Sequence, residues 1–127
     1  MARVEAVFKR SGVLVMGLEI KEADWKLFQQ LHQIALERFC HRTIEELCSV
    51  TSKCADGYHA CFLEVFALIQ ERNEELARTF DDIRRSTAII LLANMKEQDL
   101  LSEEEFSRFN SETRDAVNGI LHIRSGQ

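Results

Sequence analysis

The sequence predicts an all-α fold built on a long antiparallel helical hairpin, and three observations carry that expectation. Phe62, Phe66, Ile69, Asn73, Leu76, Phe80, Ile83, Thr87 and Ile90 follow one another at alternating steps of four and three, a heptad seam with seven apolar positions of nine. The stretch from Tyr58 to Lys96 that holds them contains no glycine and no proline, so backbone chemistry does not oblige a break. A second long amphipathic stretch precedes it, separated by a small polar segment that reads as a turn. With 127 residues, 46% apolar and 29% charged, the chain suits one folded domain, residues 1–127, with one core.

Residues 1–20 differ from the rest. Val4, Ala6 and Phe8 fall at alternate positions, as do Val13, Val15 and Gly17, and Lys9-Arg10-Ser11-Gly12 lies between. The pattern fits an N-terminal extended arm or a short β-hairpin with Gly12 in its loop. A lone two-stranded hairpin is marginal in water, so strands here would pair with another subunit or lie on a helix.

Residues 21–53 read as helix one. Glu22 and Asp24 put negative charge in its first turn, where the helix dipole favours it. Trp25, Phe28, His32, Ala35 and Phe39 form one stripe, which Leu27, Leu31, Ile34, Cys40, Ile44 and Leu47 widen, so this helix is expected to be buried on more than one side. His32, on the stripe, needs a partner for its polar nitrogens, with Gln29 or a carboxylate of a facing helix as candidates. Thr51 to Gly57 is the break, and Asp56 or Ser52 is the expected cap of the next helix.

Residues 58–96 read as helix two, with Glu74–Arg78 and Asp81–Arg85 as supporting pairs four apart. A rod of that length would measure roughly 58 Å, against about 36 Å for the diameter of a compact globule of this size. Either the helix breaks near Asn73, or it continues and a partner chain covers its ends. The seam keeps its phase across Arg72-Asn73-Glu74-Glu75, so the continuous helix and a bundle completed by dimerisation are the expectation. Two short helices follow within residues 102–121. Ser102 with Glu105 makes a capping box, Leu101 and Phe106 hold the hydrophobic-staple positions, and Asn110-Ser111 offers a second cap.

Candidate chemistry is sparse. Cys48, Cys54, His59 and Cys61 gather soft metal donors around the inter-helix turn, and zinc would be the metal for such a set, though the spacing fits no specific zinc signature. Cys40, His41 and His32 lie on the same first helix. The plainer reading takes Cys40, Cys48 and Cys61 as small buried apolar residues, with His59 facing solvent. No phosphate-binding glycine loop, nucleophile elbow or His-Glu-x-x-His occurs, so no enzyme is expected. The Leu100–Phe106 stretch resembles the entry to an EF-hand helix but lacks the carboxylate loop, which removes calcium binding of that kind.

The net charge of −5 argues against nucleic-acid binding, and Arg84 and Arg85 stand among Glu71, Glu74, Glu75, Asp81 and Asp82. No segment approaches the ~20 apolar residues of a membrane span. Without a recognisable secretory leader, the four cysteines are expected as free thiols in a reducing, cytoplasmic setting. The function expected is a non-catalytic protein–protein interaction or regulatory module acting as a helical homodimer, with the nine seam residues as its interface. A metal- or small-ligand-binding bundle using the Cys/His cluster is the alternative. A small DNA-binding regulator of antitoxin type, gripping DNA through a paired N-terminal strand, is the third.

Overall fold

The computed structural model describes residues 19–126. The expected N-terminal arm or hairpin, and with it the antitoxin-type strand, falls almost entirely outside them. The described chain is helical throughout: α1 (Glu22–Thr51), α2 (Tyr58–Phe80), α3 (Ala88–Glu97), α4 (Glu103–Ser107) and α5 (Ser111–Arg124). Among the described residues no helix is long and apolar enough to cross a membrane.

The expected helix over 58–96 is corrected: it is two helices, α2 and α3, and the interruption lies at Asp81–Thr87 rather than near Asn73, which sits inside α2. The reason is the character of residues 88–95. Ala88, Ile89, Leu91, Leu92, Ala93 and Met95 are all buried, leaving α3 no solvent face broad enough for a projecting rod. Burying that surface on several sides outweighs the hydrogen bonds a continuous helix would keep. The link makes its own substitutes. Asp81 is extended and Asp82 takes a positive φ of 60°. The Thr87 hydroxyl donates to the Asp82 carbonyl (2.7 Å) and accepts from the Arg84 N–H (3.0 Å), while the Arg84 guanidinium donates to both Asp82 carboxylate oxygens.

The core surrounds α3. Phe28, Leu31, Ala35 and Phe39 of α1 meet it with Phe80 from the end of α2, and Val117 and Ile120 of α5 add to the same cluster. Phe80 packs edge-on against Phe39 and His32, with ring centroids 5.7 and 5.2 Å away. His32 finds a partner other than those expected. Its Nε2 lies 3.0 Å from the Phe80 carbonyl, one of the oxygens that the end of α2 leaves without an intrahelical donor. Because a carbonyl can only accept, that nitrogen carries the proton.

Helix ends follow elementary capping rules. At the end of α3 the Leu100 N–H donates to the Met95 carbonyl and the Asp99 N–H to the Lys96 carbonyl, a Schellman motif with Asp99 at φ 60°. Arg42 of α1 donates to the Gln98 and Asp99 carbonyls beyond it (2.7 and 2.5 Å). The capping box of α4 is present as expected: the Glu105 N–H donates to Ser102 Oγ and the Ser102 N–H to Glu105 Oε1. The Asn110 side chain caps α5 by accepting from the Thr113 N–H at 2.9 Å. The expected cap of α2 is corrected: its N-cap is Gly57 at φ 102°, without a side-chain cap bond, so neither Ser52 nor Asp56 serves.

Two polar ties lock α1 to the C-terminal helices. Buried Asp24 accepts from the Thr113 hydroxyl (2.7 Å) and the Asn110 N–H (3.2 Å). Arg38 donates to both Glu105 oxygens and to the Leu100 carbonyl, each at 2.8 Å. The Arg38 guanidinium holds the Glu105 carboxyl down at about 2, helped by the Ser102 backbone.

Candidate interaction surface

Beyond this core, among the described residues, the hairpin continues as two helices alone. From Cys40 to Arg78 the only buried residue is Cys61. The Thr51–Gly57 segment reverses the chain, and the first half of α2 returns along α1. Arg72 of α2 joins the helices by donating to both Glu46 oxygens of α1 at 2.9 Å, and it also reaches Glu71 and Glu75. That guanidinium holds the Glu46 carboxyl below its ordinary value.

The two sides of the hairpin differ in chemistry. One groove between α1 and α2 is lined by Glu46, Ser49, Val50, Glu64, Ala67, Leu68 and Glu71, so three carboxylates face it. The other, about 170 Å³, is lined by Phe39, Cys40, Thr43 and Ile44 of α1 and Ile69, Arg72, Asn73 and Leu76 of α2. The apolar stripe of α2 runs on past this second groove toward the tip. Tyr58 is 87% exposed, Phe62 66%, Phe66 53% and Ile69 46%, and Ile44 of α1 is 56% exposed beside them. From Tyr58 to Gln70 there is one charged residue, Glu64, and it faces the acidic groove. Aromatic enrichment with loss of charge is the composition of an interface centre rather than of a solvated helix.

The nine seam residues divide. Phe62, Phe66, Ile69 and Asn73 lie on the exposed stripe, with half-buried Leu76 at its inner end. Phe80 is in the core, Ile83 and Thr87 are in the link, and Ile90 is on α3. Missing from that set were Ile44, across the groove on α1, and Tyr58 and Leu63, which extend the exposed patch on α2. The excess apolar girth of the first helix was the available signal for Ile44.

The Cys/His set behaves differently. Cys54 and Cys61 are bonded to each other as a disulfide across seven residues, which corrects the expectation of four free thiols; Cys40 and Cys48 are free. The expectation of a reducing compartment therefore loses two of the thiols it rested on. Cys48 and His59 are exposed, and among the described residues no three His, Cys, Asp or Glu side chains gather as metal ligands. The disulfide ties the turn to the first turn of α2, directly beside Phe62.

Comparison with protein-family models, with curated proteins and with solved structures gives no match for this chain.

Proposed function

We propose that the chain is a non-catalytic helical interaction module that works as a homodimer through the face of the α1–α2 hairpin that the other described residues leave uncovered. The observation that carries this reading is the hairpin from Cys40 to Arg78, where a charge-poor aromatic stripe is exposed and Cys61 alone is buried. Two helices joined only along one line bury too little apolar surface to be firmly ordered alone, since helices in proteins owe most of their stability to packing.

Magnitude supports a second copy as the cover. Taking about 200 Å² for a fully exposed large side chain, Ile44, Tyr58, Phe62, Leu63, Phe66 and Ile69 present roughly 700 Å² together. That exceeds the ~300–600 Å² of the largest patch on a typical monomer and approaches the ~800 Å² that each partner contributes to a stable interface.

Light scattering on a sizing column tests it. A mass near twice 14.7 kDa at micromolar concentration is expected. A mass of 14.7 kDa persisting at tenfold higher concentration overturns the homodimer.

A further inference from the structure

We infer that the two copies pack antiparallel about a twofold axis level with Leu68 and Ile69 along α2, with the Phe62–Phe66 pair of each α2 set over the apolar groove of the other copy and one of the two rings seated in it. This rests on the homodimer reading and specifies its geometry. One surface carries both halves of the contact. The groove, about 170 Å³, has Phe39, Ile44, Ile69 and Leu76 among its apolar walls and Arg72 and Asn73 among its polar ones. Cavities of about 150 Å³ with apolar walls accept a benzene ring, so the groove has room for one phenyl side chain.

The stripe places its knobs beside this hole. Phe62 and Phe66 are exposed, share the helical face of Ile69 and Asn73, and stand between the groove and the hairpin tip. The midpoint of Phe62 and Phe66 lies about eight residues, roughly 12 Å along α2, from the middle of the groove. A twofold axis halfway between sets knob over hole in both directions at once, which is the self-complementarity an isologous interface requires. A parallel arrangement would set Phe62 against Phe62 and leave both grooves empty. The antiparallel register also brings the two Ile69 side chains together near the axis. The acidic groove with Glu46, Glu64 and Glu71 stays on the outside of each hairpin.

Cross-linking of the full-length chain tests the register. With Cys40 and Cys48 replaced by serine and the Cys54–Cys61 disulfide kept, a short bismaleimide is expected to join copies carrying Gln70→Cys, close to the axis. It should not join copies carrying Tyr58→Cys, which stand roughly 30 Å apart along the helices. A second measurement is independent of that background: Phe62→Glu with Phe66→Glu should weaken the dimer at least about a hundredfold with helicity unchanged.

A dimer that cross-links at position 58, or that survives the double substitution, overturns the register and leaves the homodimer standing. A monomeric wild-type chain overturns both. A monomer whose stripe is nonetheless protected from amide exchange would identify residues 1–18 as the cover.

Discussion

Asp99 holds a positive φ of 60° at the end of α3, a conformation that favours glycine, and its side chain makes no hydrogen bond with another described residue. Asp99→Gly keeps the Schellman bonds and the Arg42 contacts, which use backbone atoms. It is expected to stabilise the protein by about 0.5–1 kcal/mol, read as a rise of a few degrees in Tm. Thr43 offers a second gain. Its hydroxyl is buried without a hydrogen-bond partner among the described residues, at the wall of the apolar groove, so Thr43→Val, of nearly the same shape, should add about 1 kcal/mol in a denaturant titration.

Glu105 works in the opposite sense. Its folded carboxyl is held at about 2 against an ordinary 4.5, so its contribution is complete above the ordinary value. It is lost as the pH falls from there through the folded value, because the unfolded chain takes up the proton first. Arg38→Gln removes the paired charge and should cost about 1–2 kcal/mol at neutral pH, discounted for the exposure of the arginine. Between pH 5 and 2 the variant should lose less stability than the parent, and a loss of equal slope would contradict the assignment.

At the scale of elements, α3 organises the molecule. Leu92 is fully buried at its centre, and Leu92→Ala is expected to cost about 2–5 kcal/mol, a large share of the ~5–15 kcal/mol available to a domain. Ile83 belongs to the same heptad pattern but lies in the link, 42% exposed, and Ile83→Ser should stay within about 0.5 kcal/mol. That contrast shows where sequence reading succeeds and where it stops. Cap chemistry is local, so Ser102, Glu105 and Asn110 announce α4 and α5 from their side chains alone. The heptad count is also local and carries no knowledge of packing, so it ran unbroken through Asp81–Thr87. The contrary signal was the run Ala88–Met95, apolar at every position but Asn94 and suited to a central helix. His32 illustrates the same limit, because its acceptor, the Phe80 carbonyl, exists only because α2 ends there.

For the whole molecule, the candidate surface was half legible. Four consecutive seam positions, Phe62, Phe66, Ile69 and Asn73, do share one exposed stripe. Ile44 joins them only through the antiparallel pairing of α1 with α2, which the heptad of one helix does not encode. The uneven burial along the hairpin has a consequence in time. Amide protons escape through the least costly opening available to them, and few buried contacts make openings cheap. Amides around Phe28, Leu31, Ile89 and Leu92 should exchange only through global unfolding, over hours. Those of α1 beyond Arg42 and of α2 before Leu76 should exchange orders of magnitude sooner in dilute solution, and slow as the protein is concentrated. The molecule would then keep two clocks, and only one of them would read the concentration.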